Sequence, residues 1–131
     1  MSIFDAIGIA GTGVTVNRKW MDAVSDNLAN INDAVNPSED AFAAKYVVAQ
    51  EAGDGKGTQV AGIVTGSTQG RMVYEPDNPV ADEQGYVKYP DIDMSTQMTS
   101  LIMAQRAYQA NLSVIDRAKD AYQAALQLGK A

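Results

Sequence analysis

The fold of this chain is decided by residues 85–126, which read GYVKYPDIDMSTQMTSLIMAQRAYQANLSVIDRAKDAYQAAL. From Met94 onward, mostly apolar side chains recur at alternating steps of four and three residues. This spacing predicts an amphipathic helix with a narrow line of apolar residues, here called a seam. Asp93 or Ser95 suits the N-cap, and Gly129 just past the last apolar residue suits the helix end. The stretch therefore predicts a long C-terminal helix that pairs with another helix.

A matching seam lies at the other end of the chain. Between Ile3 and Ile31, apolar residues follow the same spacing, and only Asn17 interrupts them. The pattern predicts a helix over residues 3–34 that ends before Pro37, because the residue before a proline is pushed out of the helical region. Three glycines weaken its first third by about 1 kcal/mol each relative to alanine. We therefore expect the terminal segments to become ordered on assembly.

Four short runs between the helices have the composition of β-strands. They are residues 45–50, 59–65, 71–75 and 86–89. Residues 65–70 separate the second run from the third, so we predict a hairpin loop there. The glycine-rich residues 53–57 predict a mobile turn, and residues 76–79 predict a rigid one.

The predicted fold is mainly α with a small β part. Long N- and C-terminal helices, within residues 1–35 and 92–131, pair as a coiled coil, and residues 36–91 form a short middle segment rich in β-hairpins. The middle segment is too small to cover two such helices, so we expect the subunit to polymerise through them. The expected assembly interface consists of Ile7, Val14, Met21, Val24, Asn27, Leu28, Asn30, Ile31, Met98, Leu101, Tyr108, Leu112, Ile115, Tyr122 and Leu126.

Three asparagines, Asn27, Asn30 and Asn32, crowd the end of the first helix although asparagine is a poor helix former. They are compatible with a frayed helix end, or with amides that fix the register between neighbouring subunits. The pattern alone leaves both explanations open. We expect Asn27 and Asn30 to contact neighbouring copies, so that removing both amides leaves the isolated subunit as stable as before.

Composition excludes several classes of function. The 131 residues include no cysteine and no histidine, which removes the thiol nucleophile and the imidazole base. The net charge of −6 argues against nucleic acid as a partner. No stretch is apolar enough for membrane insertion, and the N-terminus lacks the features of a cleaved secretory signal. Asp91 and Asp93 fit helix capping better than cation binding. We expect no catalytic site, metal site or cofactor.

Several motifs together resemble a known family. Residues 25–32 read SDNLANIN, residues 73–79 read VYEPDNP, and residues 106–111 read RAYQAN. With residues 85–93, these motifs resemble flagellar axial proteins, and among them the proximal rod proteins of the bacterial flagellar basal body. The resemblance covers nearly the whole chain, and its C-terminal half is the specific part.

The resemblance implies a structural subunit and not an enzyme. Such subunits stack helically into a hollow rod that transmits torque, with their terminal helices lining the inner tube. They are exported unfolded through the flagellar type III apparatus without a cleaved signal, and they lie outside the cytoplasmic membrane, in the periplasm of cells with two membranes. The implied partners are other copies, other rod proteins, and export and base components of the flagellum. An alternative is a coiled-coil export chaperone or secretion-needle-type subunit, which would not need the turn at residues 73–78.

Overall fold

The computed structural model describes residues 1–130 and consists of two long helices and two β-hairpins. The elements in chain order are α1 (Ile3–Ala29), β1 (Lys45–Glu51), β2 (Thr58–Thr65), β3 (Arg71–Tyr74), β4 (Tyr86–Tyr89) and α2 (Met94–Leu128). The predicted fold class, mainly α with a small β part, is confirmed. The last residue of the predicted C-terminal unit 92–131 lies outside the described residues.

Both helices begin at capped N-termini. At α1, the Ser2 hydroxyl accepts a hydrogen bond from the Asp5 N–H, and the Asp5 carboxylate accepts one from the Ser2 N–H at 2.7 Å. At α2, the N-cap is Asp93 and not Ser95, and its carboxylate accepts hydrogen bonds from the hydroxyl and the N–H of Thr96. These bonds to the charged form hold the pKa of Asp93 below its usual value, and bonds from the backbone and side chain of Ser2 do the same for Asp5.

The end of α1 comes earlier than the sequence predicts. The helix stops at Ala29 and not near residue 34, because Asn30 leaves the helical conformation at φ −103° and ψ 3°. The N–H of Asn30 still donates to the Asp26 carbonyl, and a short turn follows. The chain thereby turns away from the helix axis and enters the middle segment.

The two helices pair in antiparallel fashion. Near the end of α1, the Asn27 amide donates a hydrogen bond to the Gln97 side-chain oxygen at 3.0 Å. Near its start, the rings of Phe4 and Tyr122 meet edge to face, with centroids 5.4 Å apart. Since α2 has 35 residues and α1 has 27, α2 continues beyond the first turn of α1.

Small side chains let the helices approach closely. A Cβ atom at Gly13 would lie 2.6 Å from the Asn111 side-chain nitrogen, so only glycine fits there without displacing that amide. Ala10 and Ala23 of α1 and Ala104 of α2 are all buried, at 5%, 5% and 0% exposure. The core of the pair is therefore built as much from small residues as from large apolar ones.

The first hairpin, β1–β2, lies along α1. Lys45 at its base is held by Asn27, and the Thr58 N–H donates to the Thr12 hydroxyl at 3.1 Å. The ladder runs from the Lys45–Thr65 pair to the Glu51–Thr58 pair, so the hairpin extends from the end of α1 back toward its start. Residues 53–57 form its turn.

The predicted hairpin loop at residues 65–70 is wrong. β2 does not pair with β3, and these residues connect two separate hairpins. β3 pairs with β4, and Lys88 of β4 exchanges two backbone hydrogen bonds of 2.9 Å with Val35. Val87 of β4 is fully buried. The hairpin is thus anchored near the junction of the two helices.

Candidate assembly surface

The structure separates the residues predicted for assembly by their burial. Those buried within the chain are Val14, Val24, Asn27 and Ile31. Those that are half-buried are Ile7, Met21, Leu28, Asn30, Leu101, Tyr108 and Ile115. Those that are exposed are Met98, Leu112, Tyr122 and Leu126. The half-buried and exposed residues leave surface for another copy, whereas the buried ones pack within the chain.

The inner face of α2 is offset from the predicted seam. Its buried and half-buried residues recur at four-three spacing and include Gln97, Leu101, Ala104, Tyr108, Asn111, Ile115 and Ala118. Leu101, Tyr108 and Ile115 belong to both lines. The prediction followed large apolar residues, whereas the close approach to α1 selects small and amide side chains at every seventh position. This displacement leaves part of the predicted seam on the surface.

An apolar stripe therefore runs along the outside of α2. At about 100° per residue, its members lie roughly 80° to 160° around the helix from Ala104, the fully buried residue of the inner face. They are Met94, Met98, Ile102 and Leu112, with exposures of 53%, 46%, 47% and 36%. We name these four residues the outer stripe. The exposed positions of α1 include the charged residues Arg18, Lys19, Asp22 and Asp26.

Two of the three asparagines at the end of α1, Asn27 and Asn30, make side-chain hydrogen bonds within the chain. The Asn27 amide accepts from the Lys45 N–H at 2.7 Å and donates to the Lys45 carbonyl at 2.9 Å, and it also reaches Gln97. Its exposure is 0%. The Asn30 amide donates to the Asp26 carbonyl one turn back at 2.8 Å. The hydrogen-bonding groups of Asn27 are thus used inside the subunit, and its predicted contact with a neighbouring copy stays a prediction.

An open cleft of about 640 Å³ lies between the first half of α1 and the turn of the first hairpin. It forms because the turn stands off the helix beyond the contact between Thr12 and Thr58. Its lining is Met1, Phe4, Asp5, Gly8, Ile9, Thr12, Asp54, Gly55 and Lys56. We name it the N-terminal cleft. No sequence pattern pointed to it, since it joins two segments that are about 45 residues apart.

Exposed apolar residues also occur on the hairpins. On the second hairpin, the rings of Tyr74 and Tyr86 stack edge to face at 5.3 Å, and both are exposed. On the first hairpin, Tyr46 and Val64 oppose each other across the ladder and are 50% and 52% exposed. The sequence did not predict that these residues are exposed, because the strands are short and their exposed face is not polar.

The described residues offer little for chemistry. Residues 1–130 contain no group of three or more acidic residues placed to hold a metal ion. None of the helices in this range is long and apolar enough to cross a membrane. The Tyr89 hydroxyl donates to the Glu75 carboxylate at 3.0 Å, and this bond raises the pKa of Tyr89.

Comparison with known proteins places the chain among flagellar proteins. The family profile described as flagellar basal body rod FlgEFG protein C-terminal matches residues 83–128. The flagellar basal-body rod protein FlgC of Salmonella typhimurium is 34% identical over 134 residues, which cover 99% of this chain and 100% of the relative. FlgC of Bacillus subtilis is 29% identical, with 99% and 100% coverage. FlgC of Borreliella burgdorferi is 28% identical, with 98% coverage of both chains.

Proposed function

The chain belongs to the FlgC family of flagellar basal-body rod proteins and is a structural subunit of the rod, and we propose that it polymerises helically through its terminal helices to transmit torque. The family implies a structural role and not an enzymatic one. The proposed partners are other copies, other rod proteins, and export and base components of the flagellum. The proposed location is the rod outside the cytoplasmic membrane.

One observation carries the proposal of polymerisation through the helices: the outer stripe is apolar and the paired helix does not cover it. Each of its four side chains keeps roughly half of its surface exposed. Burying the remainder is worth about 1 kcal/mol per side chain, or about 4 kcal/mol for the stripe. Because this contribution recurs at each contact along a polymer, it supports assembly through α2.

The alternative, a coiled-coil export chaperone or secretion-needle-type subunit, is not favoured. The relatives match the chain from end to end, including both hairpins, and they are rod proteins. A chaperone or needle subunit has no need of the second hairpin, whose Val87 is completely buried.

Replacing Leu112 with aspartate tests the role of the outer stripe. Leu112 lies on the outer side of α2, so Leu112→Asp should leave the subunit folded. In the rod it would place a charge in an apolar contact at a cost of several kcal/mol. We expect cells that carry the variant to be non-motile, and the variant to be absent from isolated basal bodies.

The matched control is Ser113→Asp, which adds the same charge at the next exposed position of the helix. Circular dichroism should show the same helix content for the two variants. If Leu112→Asp enters basal bodies and supports swimming as well as Ser113→Asp does, the outer stripe is not an assembly contact.

A further inference from the structure

We propose that the C-terminal tip of α2 in one copy docks into the N-terminal cleft of a neighbouring copy. The tip consists of Leu126, Leu128 and Lys130. This inference rests on the proposed function and specifies one of the contacts by which the subunit would polymerise. It concerns a surface separate from the outer stripe.

The tip is a knob that projects past the start of α1, with its two leucine side chains about 200° apart around the helix. Leu126 is 49% exposed and Leu128 is 79% exposed. Phe4, in the first turn of α1, already contacts Tyr122. The residues after Tyr122 therefore extend about 9 Å past this contact, at about 1.5 Å per residue. Along this length α1 offers no helix to pack against.

The cleft has the size and chemistry to receive the knob. Its volume is about 640 Å³, and Phe4 and Ile9 supply apolar walls. An apolar cavity of about 150 Å³ already holds a benzene ring, so the side chain of Leu128 fits with room to spare. The acidic lining residues Asp5 and Asp54 suit the Lys130 ammonium. Lys56, also in the lining, suits the carbonyl end of a docked helix.

The occupant has to come from a second copy. The cleft extends along α1 from Met1 to Thr12, and most of it lies on the opposite side of the Phe4–Tyr122 contact from the tip. Measured along the helix axis at about 1.5 Å per residue, Leu128 is therefore about 16 Å from Ile9. Because the knob and the N-terminal cleft lie on different surfaces of one chain, the contact between copies is heterologous. Such contacts build an open helical assembly when the rotation from one copy to the next does not close a ring.

Filling the cleft tests the docking without disturbing the fold. Gly8 lines the cleft, and a Cβ there would meet nothing within 4 Å. Gly8→Leu should therefore fold and be as helical as the parent. We expect its incorporation into basal bodies to fall by about tenfold or more, because burial of one leucine is worth at least that factor.

Gly11→Leu is the matched control, since a Cβ at Gly11 also meets nothing within 4 Å and Gly11 does not line the cleft. It should be incorporated better than Gly8→Leu. Equal incorporation of the two variants, with the parent present in basal bodies, overturns the docking and leaves the rod function standing. Absence of the parent protein from basal bodies overturns both.

Disulfide crosslinking tests the contact directly, because the chain has no cysteine of its own. Diamide oxidation of basal bodies that carry Gly8→Cys together with Leu128→Cys should give a ladder of covalent multimers. Each single variant should give no ladder, since each contact then has only one thiol. Absence of a ladder from basal bodies that contain the double variant contradicts the proposal.

Discussion

The Asn27 amide joins three elements, and its removal should destabilise the isolated subunit. Its oxygen accepts from the Lys45 N–H at 2.7 Å, and its nitrogen donates to the Lys45 carbonyl at 2.9 Å and to the Gln97 side-chain oxygen at 3.0 Å. These contacts tie α1 to the base of the first hairpin and to the first turns of α2. Asn27 is 0% exposed and Gln97 is 4% exposed.

The size of the effect follows from the groups left behind. Asn27→Ala leaves the N–H and carbonyl of Lys45 and the amide of Gln97 without this partner. A buried polar group without a partner costs about 1 to 3 kcal/mol, so three such groups cost about 3 kcal/mol or more. The better helix propensity of alanine offsets about 0.5 kcal/mol of this loss in the free energy of unfolding. We expect a loss of about 2.5 kcal/mol or more, a large share of a typical total of about 5 to 15 kcal/mol.

Urea denaturation of the purified subunit, followed by circular dichroism, measures this loss as a lower midpoint at unchanged slope. Asn30→Ala is the control, because Asn30 makes one local side-chain bond to the Asp26 carbonyl. Its change should stay within about 0.5 kcal/mol. Equal stability of Asn27→Ala and Asn30→Ala would refute the reasoning, and would restore the expectation that both amides serve contacts between copies.

Two further predictions concern the helices. Gly13→Ala should lower the melting temperature, because its Cβ would lie 2.6 Å from the Asn111 side-chain nitrogen. Gly8→Ala should raise the melting temperature, because a Cβ there meets nothing within 4 Å and alanine is the better helix former. Stabilisation by both substitutions would contradict the close approach at Gly13. The pKa of Asp93 is held below its ordinary 3.8 by hydrogen bonds from Thr96, so its contribution to stability is present above that value and is lost as pH falls through the lower folded-state pKa. Melting temperatures of Asp93→Asn should therefore fall less than those of the parent on acidification below 3.8, and parallel curves would exclude this role.

Much of the fold could be predicted because it depends on local spacing. The four-three recurrence of apolar residues identified both helices, and the N-cap of α2 was one of two candidates. The strand runs were located within one residue at each end, and residues 86–89 match β4 completely. These features are set by residues close together in the chain, where periodicity and capping chemistry decide the conformation.

The pairing of the strands could not be predicted in the same way. Residues 65–70 have the composition of a hairpin loop, yet they connect strands of different hairpins. Which strands pair depends on where α1 holds the first hairpin, through Thr12 and Asn27. That choice is made by contacts between residues 18 to 46 positions apart, which no local window contains.

The sequence by itself determined that this chain has two long helices with apolar seams, a small β-rich middle and the motifs of a flagellar rod subunit. Only the tertiary structure decided which side of each helix is buried. Periodicity shows which residues share a face, but the face that turns inward is the one that allows the closest packing. Gly13 and Ala104 turn a line of small and amide side chains inward, and this choice leaves Met98 and Leu112 on the surface.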